Sequence, residues 1–207
     1  APPRRVNASR FAVPAVALTA LFAIQPAMPS AVETGFLDRT VVVRDVPYRY
    51  QVFVPVTWST NSTWPMILFL HGSGERGEDG LFQTEVGLPS AIRRDRSRFP
   101  CVVVIPQFRG ALSWNHEEME AQALAALDAS IREFRGDEKR VYLTGLSMGG
   151  FGTWNTAYRY PNRFAAIAPI CGGVTGLDHQ GVPSVSCATD VYADVARKIS
   201  RTPVWIF

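Results

Sequence analysis

Gly145-Leu146-Ser147-Met148-Gly149 constrains this chain more than any other stretch. The run before it, Arg140-Val141-Tyr142-Leu143-Thr144, has the composition of a β-strand, and Gly150 to Tyr158 can wind as a helix. A Gly-x-Ser-x-Gly between a strand and a helix is the sequence of a nucleophile elbow. So sharp a turn holds the serine in a strained backbone conformation, and its neighbours must be nearly free of side chain. Gly145 and Gly149 meet that need. Ser147 Oγ then projects above a sheet as a nucleophile, and the Met148 N–H points at the oxyanion formed on attack. The five-residue pattern is common by itself; the strand and helix around it give it weight. The plain alternative is an ordinary Gly-rich turn with a solvent-facing serine.

The rest of the chain supplies strands and helices in alternation. Thr40–Arg44 reads as a first strand after a lead-in over Val32–Arg39, with Pro47 as its boundary. Tyr48–Val54 alternates apolar and polar residues and predicts an antiparallel partner. Met66–Leu70 and Val102–Ile105 are wholly apolar runs, the mark of strands covered on both faces. Leu88–Arg98 predicts a short helix with a basic end. His116–Phe134 predicts a long one, with Glu117, Glu118 and Glu120 suited to the helix dipole and Met119, Ala123, Leu127 and Ile131 forming a core stripe. Phe164–Cys171 reads as another buried strand, Asp190–Ser200 as an amphipathic helix, and Pro203–Phe207 as the start of one more strand. This order predicts a mostly parallel twisted sheet with helices on both faces, an α/β class.

Between Leu70 and the next helix lies His71-Gly72-Ser73-Gly74-Glu75-Arg76-Gly77-Glu78-Asp79-Gly80. A Gly-rich loop after a buried strand is where a second oxyanion-hole amide belongs, and Ser73 or Gly74 is the expected donor. The charges of Glu75, Arg76, Glu78 and Asp79 read as a solvated loop rather than a substrate clamp. His71 precedes the serine in the chain and reads as a brace for the loop, not as the base. His116 reads as a surface or capping residue.

The 207 residues suit one domain with a sizeable core, and 47% hydrophobic with 19% charged residues describes a globular chain. The net charge of +3 comes from Arg4, Arg5 and Arg10; without them 18 basic residues face 18 acidic ones. A neutral domain has no electrostatic footprint for nucleic acid. The basic lead, the apolar segment Phe11–Ile24 and the small residues around Pro29-Ser30-Ala31 have the layout of a secretory signal peptide over 1–31, leaving 32–207 as the domain. The apolar segment is short for a membrane span and Pro14 interrupts it, though an uncleaved anchor is the alternative. Either way the domain is expected to be secreted or periplasmic. Of the three cysteines, Cys171 and Cys187 flank a Gly-rich loop and could bridge in such a compartment; three free thiols, with Cys101, is the other reading. No spacing suggests a metal site, and no cofactor is implied.

The segments Leu68–Gly77, Gly145–Gly150 and Thr202–Phe207 together resemble the α/β-hydrolase fold, and within it the bacterial phospholipase/carboxylesterase-like enzymes, some described as predicted peptidases. The resemblance spans roughly residues 40–207. It implies a serine esterase with Ser147 as nucleophile, an oxyanion hole from the Ser73 (or Gly74) and Met148 amides, and a small-molecule or polysaccharide-linked ester as substrate. A serine peptidase, a lysophospholipase or a non-catalytic exported binding module are the alternatives. In this fold the acid and histidine follow the serine in the order Ser, Asp or Glu, His. The only histidine after Ser147 is His179, beside Asp178, too early in the chain for that order. The expectation is therefore of a C-terminally incomplete domain lacking its last strand and helix, with the triad acid and base beyond Phe207, impaired activity, and apolar surface uncovered near Trp205 and Phe207.

Overall fold

The computed structural model describes residues 33–110, 113–176 and 185–207. The proposed signal segment and the Asp178-His179 pair lie outside these residues. Among the described residues six strands form one sheet: β1 (Gly35–Val43), β2 (Val46–Val54), β3 (Trp64–Leu70), β4 (Val102–Pro106), β5 (Gly136–Leu146) and β6 (Ala166–Ile170). Their spatial order is β1-β2-β4-β3-β5-β6. The β1–β2 and β2–β4 pairs are antiparallel, and β4, β3, β5 and β6 run parallel. Among the described residues they are accompanied by the α-helices α1 (Leu88–Arg94), α2 (Glu117–Glu133), α3 (Met148–Arg159) and α4 (Val191–Lys198).

The strand period of two sorts the core into two layers. Met66, Leu68, Leu70, Val102, Val104, Val141 and Leu143 face one side, where they pack with Met119, Ala123 and Leu127 of α2 and Trp154 of α3. Phe53, Phe69, Val103 and Ile105 face the other and pack with Ile92 of α1. Helices thus cover both faces, and this is the expected α/β-hydrolase architecture. Fully buried side chains such as Leu68 and Leu127 each contribute on the order of 2 kcal/mol.

Several boundaries differ from the sequence expectation. β1 begins at Gly35, so the segment read as a lead-in is mostly strand. Pro47 lies inside β2 rather than bounding a strand. It sits opposite Val42, one step from the Val43–Val46 pair that closes the hairpin, and the ladder to β4 starts only at Tyr50. No ladder bond therefore requires a donor at Pro47. β5 extends well before Arg140, and β6 alternates between buried and half-buried residues instead of being buried throughout. Pro203–Phe207 does run beside β6: Val204 bridges Ile167 in parallel, and the Trp205 N–H donates to the Ile167 carbonyl at 3.0 Å. Trp205, Ile206 and Phe207 are about 70% exposed. All three cysteines are unbridged, with Cys171 and Cys187 exposed and Cys101 buried.

α2 starts as expected, with His116 as N-cap accepting the Glu118 N–H at 3.4 Å. Glu120 does more than complement the dipole. It is buried and meets three groups from the end of α3: Arg159 Nη1 at 3.0 Å, Asn155 Nδ2 at 3.2 Å and the Tyr160 hydroxyl at 3.4 Å. Burial pushes its carboxyl up to about 7, despite the opposing effect of Arg159.

The β1–β2 hairpin closes on Arg44 and Asp45, both at positive φ (50° and 65°), as a type I′ turn requires. Arg44 is poorly suited to that region, and Asp45 tolerates it less readily than glycine. Replacing the pair by Asn-Gly (Arg44→Asn with Asp45→Gly) should raise the unfolding free energy in urea by about 1 kcal/mol. An unchanged or lower value would contradict this reading of the turn.

Candidate active site

Ser147 stands between β5 and α3 at φ 54°, ψ −112°. An L-residue is strained there. Three bonds hold it: its N–H donates to the Ile170 carbonyl at 2.8 Å, and its carbonyl accepts from Gly150 and Phe151 at 2.8 and 3.1 Å. The elbow glycines are required by close approach. A Cβ on Gly149 would lie 1.9 Å from the Leu70 carbonyl oxygen, and one on Gly145 would lie 2.2 Å from the Gly149 oxygen. The crossing of α3 over the end of β3 leaves room for no side chain at either position. Ser147 itself is exposed, while Met148, Gly145 and Gly149 are buried. Met148 is the first residue of α3, so its N–H has no partner within the helix.

The loop after β3 comes alongside. A Cβ on Gly72 would stand 3.8 Å from Ser147 Cβ, which places the loop beside the serine. Ser73 and Gly74 follow directly, exposed, in a 3-10 turn over Ser73–Glu75. The 3-10 turn at Ser73 and the start of α3 at Met148 thus lie on either side of the Gly72–Ser147 contact.

His71 fixes the start of the loop. Its Nδ1 donates to the Gly72 carbonyl at 2.6 Å, and its Nε2 accepts the Phe108 N–H at 3.0 Å. The Trp114 indole donates to the His71 carbonyl at 2.9 Å, and its ring lies edge-on to the imidazole. The ring is neutral: burial pulls its pKa down to about 4. With both nitrogens engaged it braces the loop, and no hydrogen bond joins Ser147 to a histidine among the described residues.

Of the loop charges, Glu78 and Asp79 are exposed as expected, while Glu75 and Arg76 depart from the solvated reading. Glu75 directs Oε2 to within 4.0 Å of His71 Nδ1, and Arg76 Nη2 donates to Met148 Sδ at 3.4 Å. Asp79 Oδ1 accepts the Leu81 and Phe82 amides and the Gln107 side chain. Gln107 also accepts the Gly80 N–H at 2.6 Å. Gln107 and Trp114 were missed by the sequence reading. A Gln beyond a buried strand carries no local signal, because its partners lie some 30 residues away. A cavity of about 480 Å³ between α3, α4 and Val204 is lined by residues that include Trp154, Val195 and Ile199, and Ser147 is not among them. Among the described residues no His, Cys, Asp and Glu cluster could hold a metal ion.

A mixed, mostly parallel sheet with a strained serine between strand and helix defines the chain as an α/β-hydrolase by fold. No protein-family model matches it. The bifunctional acetylxylan esterase/xylanase XynS20E of Neocallimastix patriciarum is 32% identical over 124 residues, 58% of this chain and 17% of that protein. An uncharacterised secreted protein of Arthroderma benhamiae is 27% identical over 158 residues, 70% of this chain and 16% of that protein. The chain thus spans less than a fifth of these relatives. Among solved structures, a thermostable esterase matches with a TM-score of 0.63 at 29% identity, over 83% of this chain and 54% of its own. The similarity is to esterases of the α/β-hydrolase fold.

His71 and Glu120 act on stability in opposite directions. His71 titrates lower in the folded chain (about 4) than its ordinary 6.5. Its contribution is complete above pH 6.5 and is lost as pH falls toward 4. Glu120 titrates higher in the folded chain (about 7) than its ordinary 4.5, so its contribution is complete below pH 4.5 and is lost as pH rises toward 7. Between pH 4.5 and 6.5 the two slopes largely cancel. Glu120→Gln should expose the His71 slope, so that stability in urea rises by about 1.4 kcal/mol per pH unit across that window. Parallel profiles for variant and wild type would contradict the assignment.

Proposed function

We propose that the protein is an exported serine hydrolase that cleaves carboxylic esters through an acyl-enzyme on Ser147. The observation that carries this reading is the strained, exposed Ser147 at the first turn of α3, with the Ser73–Glu75 turn beside it. Strain at that position brings no structural benefit, which argues against a non-catalytic binding module. In the proposed cycle Ser147 Oγ attacks the acyl carbon. The carbonyl electrons move to oxygen, which accepts hydrogen bonds from the Met148 amide and from Ser73, or its neighbour Gly74. Collapse expels the alcohol, and water releases the acid in a second attack. The serine proton passes to a general base outside the described residues.

The acetylxylan esterase relative supports a polysaccharide-linked ester as substrate, with acetyl and feruloyl groups both chemically suitable. The signal-like layout of residues 1–31 and the secreted relative support export. No helix of the described residues is long and apolar enough to cross a membrane.

A fluorophosphonate probe on the full-length protein tests the nucleophile. Labelling should map to Ser147 by peptide mass spectrometry and vanish in Ser147→Ala. A label that persists in Ser147→Ala would overturn the proposal.

A further inference from the structure

Arg76 lies in the loop after β3 with its guanidinium turned inward. Its Nη2 donates only to the Met148 thioether, and its Cζ stands 5.5 Å from the centre of the Phe108 ring. Its Nε is shut off from solvent without a hydrogen-bond partner. Among the described residues Arg76 forms no ion pair. The adjacent carboxylate, Glu75, is directed at His71 instead.

A half-buried cation with only a weak sulfur acceptor and an aromatic face is under-compensated. Guanidinium cannot relieve this by losing its proton. The group it touches is the side chain of Met148, the residue whose amide would bond the oxyanion. We propose that Arg76 is a positioning residue for the reaction at Ser147. It ties the 71–80 loop to the elbow through Met148, and its uncompensated charge favours the negative charge that develops beside the Met148 amide. This rests on the reading of Ser147 as nucleophile. The guanidinium has no anion to meet before the attack, so its effect falls on the rate of the chemical step and not on ligand affinity.

Fluorophosphonate labelling of the full-length protein at varied probe concentration separates the maximal labelling rate from the half-saturating concentration. Arg76→Met keeps an unbranched apolar stem against Phe108 and removes the charge. Its maximal rate should fall about tenfold, less than the 10²–10³ seen when a direct oxyanion donor is lost. The half-saturating concentration should stay within about twofold. Arg76→Lys should regain most of the rate, because it restores the charge without the fork. A wild-type maximal rate in Arg76→Met would overturn the proposal. So would equal slowing in Arg76→Met and Arg76→Lys, which would assign the effect to packing. If Arg76→Met lacks a cooperative unfolding transition, Arg76→Gln serves as the neutral variant under the same criteria. Failure of the wild type to label at Ser147 would instead remove the nucleophile reading beneath it.

Discussion

The site depends on how closely α3 crosses the end of β3. The Leu70 carbonyl lies where a Gly149 side chain would have to be, and the Gly149 carbonyl lies where a Gly145 side chain would be. Leu70 and Gly145 are register partners on adjacent parallel strands, so the contact is built into the sheet. With α3 held that close, the chain has a single residue in which to turn from strand to helix. Ser147 takes the strain, and a bond from its N–H to Ile170 of β6 pins it from the other side. Three strand ends therefore determine one side chain's position. Such over-determination is what allows a strained residue to persist.

The same closeness organises the loop after β3. It leaves the sheet directly beside Ser147 and is held there by groups that come from elsewhere in the chain. Phe108 supplies a donor to His71 and an acceptor for Gly77, Trp114 caps the His71 carbonyl, and Gln107 ties Glu75, Asp79 and Gly80 together. A loop with four glycines in ten residues would otherwise be costly to order. The neutral His71 matters to this frame, because a charged imidazole could not accept the Phe108 amide.

The apolar runs Met66–Leu70 and Val102–Ile105 were legible in the sequence because strands buried on both faces leave an unbroken apolar signature. The elbow was legible because its Gly-x-Ser-x-Gly pattern, common by itself, falls between a strand run and a helix run. The Met119–Ile131 stripe and the His116 cap followed from helix periodicity and capping chemistry. What escaped was set by partners distant in the chain. Arg44-Asp45 makes a tight hairpin without the usual Asn or Gly, β1 extends because β2 offers it a full-length partner, and Glu120 is buried because the end of α3 brings Arg159, Asn155 and Tyr160 to it. The inward turn of Glu75 and Arg76 belongs to the same class, since local composition alone describes a solvated loop.

Comparison of Ser147→Gly with Ser147→Ala tests the strain at the elbow most directly. Both lose the hydroxyl, and only alanine keeps the Cβ that the backbone at φ 54° disfavours. The account predicts that Ser147→Gly is more stable than Ser147→Ala in urea by about 1–2 kcal/mol. A glycine variant equal to or less stable than the alanine variant, as at an unstrained helical position, would contradict it.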